Sequence, residues 1–100
     1  MKATLLLHER HVLSQSAFVE VLVWHVPQPV PGSVHDFKYS LALVSDGTCV
    51  LRHDNEAGKG DHNKGDHKHA GGRETDYHFI DLPSMQADFC NDVKTWEATQ

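Results

Sequence analysis

FKYSLALVSDGTCVLRH, residues 37–53, decides how the chain folds. Phe37, Tyr39, Leu41 and Leu43 fall at every second position, so an extended backbone turns all of them to one face. Ser45-Asp46-Gly47-Thr48 then interrupts the run. Asp-Gly between two apolar segments signals a hairpin, because a type I′ turn needs positive φ at both central residues. Antiparallel strands over about 36–45 and 48–53 follow.

Reading outward from this hairpin, AFVEVLVWHV at residues 17–26 alternates as well. Val19, Val21, Val23 and His25 share one side, and Phe18, Glu20, Leu22 and Trp24 the other. Residues 2–13, with Leu5 and Leu7 on a common face, supply a further strand, and Ser14-Gln15-Ser16 falls at the turn between the two. Pro27, Pro29, Pro31 and Gly32 end the second strand, since proline cannot donate to a ladder. Residues 54–74 carry many glycines and almost no apolar side chain, which predicts a mobile His/Gly-rich loop, and residues 75–80 a last short strand. The end of the chain is helical over about 82–97. Asp81 can cap it, Pro83 suits its first turn, and Leu82, Met85, Phe89, Val93 and Trp96 recur at spacings of three and four. The expected fold is α+β: a single domain over residues 1–100, with a curved antiparallel sheet of four to five strands and one C-terminal helix packed on one face.

Composition sets limits on function. With 39 % hydrophobic and 23 % charged residues the chain is expected to be globular, and a net charge of −5 leaves no global basic field to attract nucleic acid or an anionic membrane. Cys49 and Cys90 form no CxxC pair, and the start MKATLLLHERHVL is too polar and too short for a signal peptide, so a reducing, cytoplasmic location without membrane contact is expected. Nine histidines are the outlier. Several of them fall in NEAGKGDHNKGDHKHAGG, residues 55–72, where KGDH occurs twice, five residues apart.

Three readings of this segment stand side by side. It can be a solvated polar connection, although unstructured loops beyond roughly 12–15 residues are uncommon in compact domains. It can bind a metal, but the spacing matches no established zinc motif. No dedicated metal or cofactor is therefore expected, and adventitious binding at His67 and His69 is the allowance. Or it can perform acid–base chemistry on phosphate. Here His67 or His62 would be the catalytic acid or base and Asp66 or Asp61 would orient the imidazole. Lys64, Lys59, Arg73, Lys68 and His69 would hold phosphate, and Asn55, Glu56, Gly58, Gly60 and Gly65 would shape the loop. RNA cleavage by the 2′-hydroxyl needs no metal, only a base, an acid and a cation for the charged phosphorane.

The order MKA-LL, the strand FVEVLVWHVP followed by P-PGS-H, then KY-L, DNE-GKGDHKH--G-RE, Y-F-D and ADF--DV--W resembles the TumE-like toxins of bacterial and archaeal type II toxin–antitoxin modules. The resemblance runs from Met1 to about Trp96, and its most specific element is the DNE-GKGDH-H block. It implies a toxin, encoded beside a helix-turn-helix antitoxin, and together with the loop chemistry it points to a metal-independent endoribonuclease acting on RNA. The left context of the block falls on Asp54, Asn55, Glu56, Gly58, Lys59, Gly60, Asp61 and His62, and the right context on Lys64, Gly65, Asp66, His67, His69 and Gly72. Excising residues 59–63 leaves a single family-like block, DNEAGKGDHKHAGGRE. Ser40 stands where an Arg is usual after KY, and His53 where a Tyr is usual before DNE. The second copy, Lys64 to His69, keeps both histidines of HKH and is expected to occupy the functional position, with residues 57–63 less ordered than 66–70.

The alternative is a non-catalytic interaction module that binds a helix-turn-helix antitoxin or another protein through its sheet. One helix covers only one face, so the other face, with Phe18 and Trp24, predicts a homodimer or a partner surface.

Overall fold

The computed structural model describes residues 3–55 and 65–100. Six strands run through these residues in order: β1 (Thr4–Val12), β2 (Ala17–His25), β3 (Phe37–Ser45), β4 (Thr48–Asp54), β5 (His67–Ala70) and β6 (Arg73–Asp76), followed by helix α1 (Leu82–Ala98). Each strand pairs antiparallel with its chain neighbour, giving one open sheet in the order β1-β2-β3-β4-β5-β6.

The β3–β4 hairpin closes as its sequence demands. Asp46 and Gly47 both take positive φ, 51° and 77°, which is the type I′ geometry, and Ser45 faces Thr48 across it. A bulge at Val50 follows, since Leu43 pairs with Leu51 while Val44 pairs with Cys49. The alternation of β2 is equally literal: Ala17, Val19, Val21 and Val23 are buried and the residues between them are half-buried.

Helix α1 covers one face. The Asp81 carboxylate accepts from the Ser84 amide at 2.7 Å, satisfying an otherwise unpaired donor of the first turn. Met85, Phe89 and Val93 pack on Val19, Val21, Val23, Tyr39, Leu41, Leu43 and Leu51, with Leu82 and Trp96 at the margin. Each large side chain buried in this layer contributes about 1.5–3 kcal/mol. Along β1 the helix leaves its side of the sheet open as a groove of about 510 Å³ between Leu7, Val19 and Val21 of the sheet and Phe89, Cys90 and Val93 of the helix. Both cysteines are free thiols.

The expected loop over 54–74 and the expected strand over 75–80 are corrected. His67–Ala70 and Arg73–Asp76 form a second tight hairpin, and residues 77–80 run on outside the sheet toward the helix. Its turn is Gly71-Gly72, both at positive φ, 59° and 78°. Composition hid these strands because they lie at the sheet edge, where β6 is exposed throughout and β5 is buried only in part, so neither shows the apolar alternation of an interior strand. The sheet therefore has six strands rather than four or five. The expectation about order in residues 57–63 lies outside the described residues, as do Lys59, Asp61, His62 and Lys64 and the loop-shaping positions Glu56, Gly58 and Gly60.

Candidate active site

Strand geometry sorts the GDHKH residues onto two sides. Successive side chains of a strand point to opposite faces, so Lys68 goes to the helix side, and His67 and His69 go to the face that the helix leaves uncovered.

Asp66, just before β5, acts as a clamp. Its carboxylate accepts from Tyr39 Oη at 2.6 Å and Ser33 Oγ at 3.1 Å, and lies 2.8 Å from His35 Nε2. The His35 ring in turn stacks on Phe79, centroids 3.8 Å apart. Burial, reinforced by the Asp66 carboxylate, raises the Tyr39 phenol far above its usual range, so this hydroxyl stays a donor. Asn55 completes the knot: its amide donates to Phe37 O at 2.7 Å and Ser33 Oγ at 3.2 Å, and its oxygen accepts from the Tyr39 amide at 3.1 Å. Asn55 and Gly65 thus shape this region in a definite way. Gly65 has φ +68°, and a Cβ there would sit 2.6 Å from Gly32 O, so only glycine allows the two loops to touch.

On the helix side, Lys68 Nζ and His53 Nε2 share Asp92 Oδ2, at 3.3 and 3.0 Å. His53 is fully buried, its ring packs edge-on against Tyr77 and Phe89, and burial lowers its pKa below the ordinary value of 6.5. Tyr77 Oη donates to Asp88 at 2.5 Å, and burial foremost raises its pKa.

The uncovered face carries the remaining chemistry in two cross-strand rows. One runs Arg10, Glu20, Ala42, Arg52, His69 and Glu74 across all six strands, and the next His8, Leu22, Ser40, Asp54, His67 and Asp76. His69 Nε2 lies 3.3 Å from Glu74 Oε1, and His67 Nε2 lies 3.6 Å from the same oxygen. His67 Nε2 is 2.5 Å from Asp54 Oδ1, while its Nδ1 is 2.7 Å from Gly65 O. Arg52 reaches the other oxygen of Asp54, Oδ2, at 3.9 Å. Farther along the face, Arg10 lies over the Phe18 ring and Lys38 over Trp24.

Three expectations change. The carboxylate at His67 is Asp54 rather than Asp66, because neighbouring residues point apart while cross-strand partners point together. His67 is 3 % exposed, whereas the His69 side chain is 41 % exposed and the more accessible of the two imidazoles. Lys68 and Arg73 lie in the rows of the opposite face from His69, and the cation beside His69 is Arg52, its direct cross-strand partner. No local motif pointed to Arg52, and Glu74, although it ends the family block, had no role assigned to it; their position depends on the register of three strands.

The model of the family described as Toxin TumE matches residues 2–97. The chain belongs to the TumE toxin family. No curated protein and no solved structure matches it. In this TumE-family chain the described ends of the block meet in space: Asp54 of β4 on His67 of β5, and Asn55 and Asp66 jointly on Ser33 and Tyr39. Among the described residues no helix is long and apolar enough to cross a membrane.

Proposed function

We propose that this toxin-family chain acts on RNA as an endoribonuclease whose transesterification step runs on side chains alone. One observation carries the reading: a half-exposed imidazole, His69, stands in one row between a guanidinium, Arg52, and a carboxylate, Glu74, on the face the helix leaves open. With Nε2 turned to Glu74, the Nδ1 of His69 takes the proton of a 2′-hydroxyl, and Glu74 stabilises the imidazolium that forms. Arg52, 44 % exposed, is placed to offset the charge of the phosphorane. His67 and Asp54 stand beside them in the neighbouring row of the same face. The proton donor to the leaving 5′ oxygen is assigned on sequence alone to His62, with Lys59 and Lys64 on neighbouring phosphates.

The test is cleavage of a mixed RNA substrate in chelator-treated buffer, with growth arrest on expression as its cellular counterpart. His69→Ala is expected to lose about 10²-fold or more in rate, and Arg52→Ala a comparable factor, with unfolding midpoints unchanged. Intact RNA with the native chain, or full activity in His69→Ala, overturns the reading. The interaction-module alternative calls for bare aromatic rings on the open sheet face, whereas Arg10 and Lys38 lie across Phe18 and Trp24.

Within the same proposal, a helix-turn-helix antitoxin is the partner and the cytoplasm the site of action. Two copies pair through β1, an edge strand exposed along nearly its whole length with Leu5 and Leu6 about half-exposed. Sedimentation showing only an 11.2 kDa species would remove the pairing.

A further inference from the structure

We infer that Asp54, His67 and His69 form a binding site for a first-row divalent transition-metal ion of the zinc, nickel or cobalt kind. The three offer ligand atoms that all lie within 4.8 Å of one another. They come from two paired strands: Asp54 of β4 is the register partner of His67, and His69 follows two residues on along β5, on the same face. Such placement fixes the donors on sheet backbone rather than on a loop.

The His67 ring is held from its far side, as the rings of metal-ligating histidines are. Gly65 O can only accept, so Nδ1, 2.7 Å away, carries the proton and donates. Nε2, on the other side of the ring, then faces Asp54 Oδ1 at 2.5 Å. A contact this short between a ring nitrogen and a carboxylate oxygen is bridged by a positive centre, which a proton supplies in the metal-free chain and a metal ion can replace. A backbone carbonyl on the far nitrogen is the usual way that proteins fix the tautomer and ring orientation of a ligating imidazole.

Distances agree. Ligands held about 2.1 Å from a tetrahedral ion stand roughly 3.4 Å apart. His67 Nε2 to Glu74 Oε1 is 3.6 Å and His69 Nε2 to Glu74 Oε1 is 3.3 Å, so Glu74 can close a fourth position, while the contact between Asp54 and His67 needs to open by less than 1 Å to admit an ion. Arg52 approaches the other carboxylate oxygen, Oδ2, at 3.9 Å. Two imidazoles with carboxylate suit borderline transition ions, whereas magnesium and calcium ask for an all-oxygen shell.

Binding would engage the imidazole of His69, the group assigned to proton transfer above; on that reading, and only for this consequence, the metal-loaded chain is the inactive form. The binding claim itself is tested without RNA. Calorimetry on the chelator-stripped full chain is expected to show one zinc or nickel ion per chain with Kd tighter than about 10 µM, that is about 7 kcal/mol, and no heat from magnesium. Cobalt titration is expected to give the visible absorption bands of a four- or five-coordinate imidazole site. His69→Ala, a half-exposed position that folding tolerates, should weaken zinc binding at least tenfold, and Asp54→Asn further. The double change His8→Ala/His11→Ala, on exposed β1, should leave it unaltered. Absence of one-to-one binding by the native chain overturns the inference, as does native affinity in His69→Ala, which would locate the ion on other histidines. Loss of RNA cleavage with retained zinc binding would remove the proposed function and leave this site standing.

Discussion

Removing the Asp66 carboxylate separates a structural role from a chemical one. In the folded chain it faces three polar groups, Tyr39 Oη at 2.6 Å, His35 Nε2 at 2.8 Å and Ser33 Oγ at 3.1 Å. Hydrogen bonds to a charged acceptor contribute about 1.5–3 kcal/mol each, and they do not add fully because all of them share one acceptor. Asp66→Ala leaves the phenol and the imidazole without their partner in a mostly buried setting, which puts the loss at roughly 3–5 kcal/mol. Against a total of about 5–15 kcal/mol for an ordinary domain this is a large fraction, and it corresponds to a fall in Tm of roughly 12–30 °C. Tyr39→Phe, which removes one donor to the carboxylate and keeps the ring, should cost less, about 1.5–3 kcal/mol. Urea unfolding followed by the fluorescence of Trp24 and Trp96 measures each variant and the double change. A coupling energy of about 1–3 kcal/mol between Tyr39 and Asp66 is expected. If Asp66→Ala unfolds within about 0.5 kcal/mol of the native chain and yet abolishes activity, the clamp reasoning is wrong and Asp66 belongs to the chemistry.

Other perturbations bear on the same architecture. Gly65→Ala should destabilise by at least about 2 kcal/mol, since it meets both a left-handed φ of +68° and the Gly32 carbonyl at 2.6 Å, whereas Gly47→Ala, with nothing within 4 Å, should cost only about 1 kcal/mol; thermal melts compare the two. Burial lowers the His53 pKa, so below about pH 6.5 the unfolded chain takes up a proton that the folded chain refuses; stability attributable to this residue is full above that pH and falls below it by at most about 1.4 kcal/mol per pH unit. His53→Tyr should flatten the acid limb of the stability curve between pH 7 and 5, and an unchanged limb would refute the assignment. Ser40→Arg places a guanidinium opposite Asp54 in the same row, and calorimetry should show zinc affinity at least tenfold weaker. Deletion of residues 59–63 halves the ten-residue connection from Asn55 to Asp66, and by loop-closure entropy it should stabilise the chain by about 0.6 kcal/mol, measured by urea unfolding.

The interior of the fold was legible because its residues repeat a local rule. Asp46-Gly47 specified the turn, alternation specified β2 and β3, and the Asp81 cap with the Met85–Phe89–Val93 stripe specified α1. The outer hairpin broke that rule, because β6 has no buried side to reveal, although Gly71-Gly72 carried the turn signal all along. The site was half legible. His67 and His69 could be singled out by composition, but the identity of their neighbours depends on register. Asp54 is 13 positions from His67 in sequence and beside it in space, while Asp66 is adjacent in sequence and turned away toward His35, itself 31 positions distant. Sequence proximity suggested the wrong carboxylate for this reason.

The second KGDH, not the first, leads into β5. A β5 built from the first copy would have to be read Gly60-Asp61-His62-Asn63-Lys64 in place of Gly65-Asp66-His67-Lys68-His69. Glycine, aspartate and the first histidine are supplied equally by both, so neither the Gly32 contact, nor the clamp on Tyr39, nor the cross-strand pair with Asp54 can choose between them. The next two positions differ. Asn63 would stand where the Lys68 ammonium meets Asp92 at 3.3 Å, and Lys64 where the His69 imidazole meets Glu74 at 3.3 Å. The first exchange loses an ion pair that half-exposed groups make worth only about 0–1 kcal/mol, too little to fix a register by itself. The second keeps a cation beside Glu74 but removes a titratable imidazole between Arg52 and Glu74, together with a ligand of the proposed metal site. These side chains therefore choose only weakly between the copies, and the turn chooses strongly: a register shifted by five residues would put Asp66 and His67 where Gly71 and Gly72 take positive φ, 59° and 78°.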